Sequence, residues 1–99
     1  VRAVRYHPRV PTETRGILSF YSAISKQLGD QFWNELTEAI RYAREFPERH
    51  HFDTTGRRRA NLNKFPIHFL FRIFPGYIRV TVVGTTSVIR PSEPDGPKY

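Results

Sequence analysis

The sequence contains no cysteine and no methionine, only one tryptophan, and no apolar run near the ~20 residues that a membrane-spanning helix requires. The missing thiols exclude disulfides, thiolate nucleophiles and cysteine–zinc centres together. No signal-peptide pattern opens the chain, so a cytoplasmic location away from the membrane is the expectation. With Val1 first and no Met anywhere, either an initiator was trimmed or the stretch lies inside a longer gene product. Several chemical signatures are absent too: the P-loop, the Gly-rich dinucleotide fingerprint, the G-x-S-x-G elbow and the aromatic run of an RNA-recognition sheet. No cofactor is expected.

The most informative absence is acid. Residues 54–90 contain no Asp or Glu but carry Arg57, Arg58, Arg59, Lys64, Arg72, Arg79 and Arg90. Residues 1–53 nearly balance, with eight basic and seven acidic side chains, so the net charge of +7 is concentrated in one third of the chain. A localised field of this kind attracts a polyanion, either nucleic acid or an acidic protein. A solvated basic face that only keeps the protein soluble is the alternative.

What is abundant is aromatic. Eight Phe and five Tyr within 99 residues point to one domain whose core rests on rings. A chain of this size buries roughly 60–65% of its unfolded surface, enough for one modest core.

The hydrophobic pattern gives the elements. Val4 and Tyr6 alternate in a short first strand that stops at Pro8. Ile17, Leu18, Tyr21, Ile24 and Leu28 recur at helical spacing after Pro11, and Gly29 is expected to end that helix. Asp30 is then expected to cap a second helix with the stripe Phe32, Trp33, Leu36, Ile40, Ala43 and Phe46, stopped by Pro47. Glu38–Arg41, Arg41–Glu45 and Glu45–Arg49 have the spacing of ion pairs on its polar side. Residues 48–56 read as a loop. RRANLNK reads as a strand with one wet face, and IHFLFRIF and YIRVTVVG as two strands about Pro75-Gly76. TSVI extends the last strand or forms a short further one. The order predicts an α+β fold: an N-terminal β-strand, an αα-hairpin and an antiparallel β-meander of three to four strands, with the helices on one sheet face. The domain is placed at 1–91 and a Pro-rich tail at 92–99.

The last hairpin has a register that the apolar set dictates. Ile73 opposite Ile78, Phe71 opposite Val80 and Phe69 opposite Val82 place these six apolar residues on one side. Arg72 then falls opposite Arg79, with His68, Leu70 and Thr81 on the same side. Like charges so opposed cost up to about 1 kcal/mol, a cost that an anionic ligand between them would offset.

Other constellations are sparse. His50 and His51 are adjacent and cannot both face one metal from a regular element, and no carboxylate lies at helical spacing to complete a site, so no metal is expected. Ser19, Ser22 and Ser25 lie on a helix with no His in sequence reach. If the chain cleaves RNA, the candidates for that chemistry are His68, Arg72 and Arg90, because a proton must be moved and a phosphate neutralised.

These pieces together resemble the RelE/ParE superfamily of toxins from bacterial type II toxin–antitoxin systems. The resemblance runs from residue 1 to about 91. It rests on the strand ending YHP, the helices FYSAISKQLG and FWNELTEAIRYAREFP, and above all on Arg58, Leu62, Phe65-Pro66 and a strand ending in Phe71-Arg72. It implies a small toxin neutralised by a cognate acidic antitoxin and acting on an essential target when free. The long helical hairpin resembles the ParE-like and plasmid-stabilisation branch, whose target is DNA gyrase; the RelE-like branch cuts mRNA on the ribosome. The last strand departs from the pattern. Gly84, Thr85 and Thr86 stand where a His and the first Arg are expected, and only Arg90 follows. On this reading the arginines Arg57, Arg58, Arg59, Arg72, Arg79 and Arg90, with Lys64, bind the target or the antitoxin. Whether the chain is an enzyme stays open, as does a basic binding domain without toxicity.

Overall fold

The computed structural model describes residues 2–86. In chain order it contains β1 (Ala3–Tyr6), α1 (Val10–Ile24), α2 (Lys26–Glu45), a 3₁₀ turn (Pro47–Arg49), β2 (Arg58–Asn61), β3 (Ile67–Phe74) and β4 (Tyr77–Thr85). This is the α+β order the pattern predicts. Segment 87–90, Arg90 included, and the tail lie outside the described residues.

The four strands form one sheet in the order β1-β4-β3-β2. Strands β2, β3 and β4 make the antiparallel meander, while β1 lies parallel to β4, so the sheet is mixed. The β3–β4 loop is two residues long, Pro75-Gly76. Proline presets the first position, and Gly76 at φ +82° supplies the left-handed second one.

The helical junction differs from the expectation. Ser25, not Gly29, separates the helices. Its backbone is extended (φ −161°, ψ 148°), and its Oγ accepts from the amide of Leu28 at 3.0 Å. A serine side chain satisfies an amide that the new helix would otherwise leave unpaired, and this favours a cap at Ser25, five residues before Asp30. Gly29 lies buried within α2 against Ser22 of α1. It serves close helix packing rather than termination. Asp30 instead faces Lys26 one turn back at 3.5 Å.

The hairpin register holds from Phe74–Tyr77 through Ile73–Ile78 and Arg72–Arg79 to Phe71–Val80, then changes. Thr81 is an extra residue, so Leu70 pairs with Val82 and Phe69 with Val83 rather than with Val82. Such a bulge moves the next residues of one strand to opposite faces. Val83 enters the core in place of Val82.

Beyond Val80 this flank of β4 has no partner strand among the described residues, because β1 ends at Tyr6. Glu13 of α1 covers it, its carboxylate accepting from the amide of Val83 at 3.0 Å. Glu35 of α2 likewise accepts from the amides of Asn63 and Lys64, which closes the β2–β3 loop. A carboxylate bonded to backbone N–H groups makes strong contacts of this kind.

The core lies between the hairpin and one sheet face. It joins Phe32, Leu36 and Ala43 of α2 to Ile67, Phe69 and Phe71 of β3 and Ile78, Val80 and Val83 of β4. Phe65 meets Tyr21 at a ring separation of 4.8 Å and Phe32 at 5.8 Å, both edge-on. Among the described residues no helix covers the other face of the sheet, and Arg5, Arg57, Arg59, Arg72 and Arg79 gather there.

Candidate functional site

Alternation along a strand decides where consecutive arginines point. Arg58 pairs with buried Phe71 and so lies on the helix side of the sheet. Its Nη1 donates to the carbonyl of His50 at 2.8 Å, and its guanidinium lies 4.2 Å from the ring centroid of Phe52. Arg57 and Arg59 point the other way. The triplet is therefore split: Arg58 braces the 50–58 loop, and its neighbours belong to the outer face. That loop is further closed by Asp53, whose Oδ1 accepts from the amides of Thr55 and Arg57.

At one end of the outer face, Arg57 Nη1 donates to Thr81 Oγ1 at 3.1 Å, and Thr81 donates to the carbonyl of Leu70 at 3.3 Å. Arg59 Nε donates to Asn61 Oδ1 at 2.9 Å, and its Nη2 reaches Thr86 Oγ1 at 3.4 Å. His68 Nδ1 lies 3.1 Å from the same Thr86 hydroxyl. Gly84 is the partner of His68 across the strands, so that position puts no side chain over the ring. The His68 pKa is lowered, first by burial and then by the positive charge of Arg59. An imidazole with a lowered pKa, sharing the Thr86 hydroxyl with the Arg59 guanidinium, is equipped to bind an anion and to accept one proton. Leu70, buried on this face, lies between Arg59 and Val82 across the strands.

At the other end, the register lines up Arg5 of β1, Arg79 of β4 and Arg72 of β3 in a single row. All three side chains are exposed. The next row is Ala3, Tyr77 and Phe74. Phe74 and Tyr77 stack at 4.9 Å with their planes 11° apart, and the Arg5 guanidinium lies 4.4 Å over the Tyr77 ring.

The remaining candidates lie elsewhere. Lys64 is an exposed residue of the β2–β3 loop. Arg90 is outside the described residues. His50 packs edge-on against Phe71 at 5.2 Å and Tyr42 at 5.8 Å, with its pKa lowered mainly by burial. Among the described residues no three metal-ligating side chains come together. Nor is any described helix long and apolar enough to cross a membrane.

Two features escaped the sequence reading. The first is Arg5, which only the parallel pairing of β1 with β4 brings beside Arg79. The second is an apolar groove of 460 Å³ between the helices, lined by Tyr6, Val10, Leu18, Trp33, Leu36 and Ile40. Trp33, read as part of the core stripe, is 47% exposed at this groove. The signal was the breadth of that stripe, wider than one sheet-facing side of a helix needs.

No family model matches the sequence, and no curated protein matches it. Among solved structures, a chain of the chromosomal ParDE TA system from P. aeruginosa is similar at a TM-score of 0.74 and 12% sequence identity. The match covers 87% of this chain and 97% of that one. At such low identity the likeness is one of fold, and the fold is the ParE-like one that the Phe-Pro and Phe-Arg segments imply.

Proposed function

We propose that this chain is the toxin component of a type II toxin–antitoxin pair. An acidic antitoxin neutralises it, and the free protein inhibits an essential target, DNA gyrase ahead of the ribosome. The likeness of fold to a chain of a ParDE TA system carries the reading. The charge distribution supports it. The ion pairs among the described residues lie on the helices and at Arg2–Glu48, leaving Arg57 and Arg59 without an acidic partner there. A basic face of this kind is matched in charge by an acidic protein segment.

Gyrase is preferred because the outer face offers little proton-transfer chemistry. Of the groups at its His68 end, the imidazole alone is suited to moving a proton, and its pKa is lowered by burial and by Arg59, whereas cutting RNA requires both a base and an acid. The rival, a ribosome-dependent mRNA endonuclease, draws on the cluster of His68, Thr86 and Arg59.

The test is expression of the chain without its neighbouring reading frame, with separate readouts for growth, supercoiling and translation. Growth arrest with loss of supercoiling, unchanged in His68→Ala, is the expected result, and co-expression of a short acidic partner restores growth. Cleavage of mRNA in a translating extract, abolished by His68→Ala, would favour the nuclease instead. Normal growth at high expression would remove the toxin reading altogether.

A further inference from the structure

The row of Arg5, Arg79 and Arg72 puts three guanidinium groups on adjacent strands of one sheet face. Two strand spacings of ~4.8 Å make the row about 10 Å long. None of the three is in an ion pair with a described residue. Beside the row, Tyr77 and Phe74 stack with Arg5 over the Tyr77 ring, and their strand neighbour Ala3 is small. The site lies apart from the His68 cluster. Arg72 is four residues along β3 from His68, ~13 Å at the strand rise of ~3.3 Å per residue.

We propose that this end of the sheet binds a single-stranded polynucleotide. Arg5, Arg79 and Arg72 take its backbone phosphates, and the Tyr77–Phe74 platform takes a base. Planar guanidinium groups match phosphate oxygens in paired hydrogen bonds. A groove of positive charge next to aromatic faces is the arrangement by which proteins hold single strands without reading sequence. An acidic peptide would use the arginines but leave the rings without a role, so the polynucleotide accounts for more of the site. The inference stands on this geometry alone and does not depend on the toxin reading.

Fluorescence anisotropy with labelled oligo-dT and oligo-U of about six nucleotides, within the usual range of single-strand site sizes, tests it. Binding of either oligonucleotide is expected, and a preference between them identifies DNA or RNA. The triple variant Arg5→Gln/Arg79→Gln/Arg72→Gln should weaken binding at least about tenfold. It should also flatten the plot of log affinity against log salt by about 2, from ~0.7 per lost phosphate contact on a single strand. Tyr77→Leu should weaken binding severalfold and Tyr77→Phe should not. Arg41→Gln, on the polar side of α2, is the control for a lost charge elsewhere. Thermal melts of the triple variant should be no lower than those of the parent.

Three results would each overturn the proposal. One is unchanged affinity in the triple variant. Another is displacement of the oligonucleotide by a glutamate peptide of equal charge at equal concentration. The third is binding of tripolyphosphate as tight as that of the oligonucleotide and indifferent to Tyr77.

Discussion

Gly29 of α2 passes Ser22 of α1 so closely that a Cβ on the glycine would lie 2.1 Å from the serine Oγ and 3.1 Å from its Cα and Cβ. The hydroxyl can rotate away, but the Cα is backbone and moves only with its helix. Gly29→Ala gains up to about 1 kcal/mol in helix propensity, against an overpacking cost of about 1–3 kcal/mol. We expect a net loss of about 1 kcal/mol in urea unfolding, or ~4–8 °C in Tm for a domain of this size. Ser22→Gly in the same chain should recover part of it. Unchanged stability in Gly29→Ala would mean that the helices separate freely at this crossing.

Ser25 bears on the same junction from the other side. Its Oγ caps α2 through the amide of Leu28. Ser25→Ala should cost about 1 kcal/mol, and Ser25→Asp, which keeps an acceptor, should cost less. Chemical denaturation of the two variants side by side decides it.

Arg58 and its neighbours should respond differently to truncation. Arg58→Ala removes a hydrogen bond to the carbonyl of His50 and the contact with Phe52. A loss of about 1–2 kcal/mol in stability is expected. Arg58→Lys should recover less than half, because an ammonium lacks the planar fork. Arg59→Gln should leave stability nearly unchanged and weaken binding of an acidic partner. An Arg58→Ala variant of full stability would contradict this division of labour.

Arg79 lies between Arg5 and Arg72. Arg79→Thr relieves two like-charge neighbours and introduces a residue suited to strands. Stability should stay level or rise by up to about 1 kcal/mol. The gain should shrink in high salt, where surface charges are screened. A clear loss of stability would show that the arginine stem packs as well as carries charge.

His50 and His68 should give the fold an acid-side pH dependence. Both pKa values are lowered from 6.5, chiefly by burial. Arg59 adds to the effect at His68, against Asp53, and Arg58 and His51 add to it at His50, against the backbone at Phe46 and Pro47. Just below pH 6.5 the unfolded chain binds protons that the folded chain refuses, so stability rises with pH across that window. The contribution is complete above about 6.5 and fades as the pH falls through the lower folded values. Urea unfolding near pH 7.5 and near pH 5 should show the decline, and His50→Gln/His68→Gln should flatten it. A double variant with the parent's pH dependence would place the effect elsewhere.

Much of the fold was legible because apolar periodicity reports which face is buried. Ile67, Phe69, Phe71 and Ile78 fall on the core side as their alternation requires. The bulge at Thr81 was hidden, since Val82 and Val83 are identical to a pattern of apolar letters. The helix junction was misplaced for a related reason. Glycine ends helices and also lets helices touch, and only the nearness of Ser22 distinguishes the two uses.

The sequence by itself determined the element order, the aromatic core, the acid-free third and the opposition of Arg72 to Arg79, because each depends on local spacing. Only the tertiary structure decided which arginines act together. It turned Arg58 inward and left Arg57 and Arg59 on the outer face. It also carried Arg5 across more than 70 residues of chain to the side of Arg79 through the parallel pairing of β1 with β4. Pairing between distant strands is set by the packing of the whole sheet against its helices, and no local pattern encodes it.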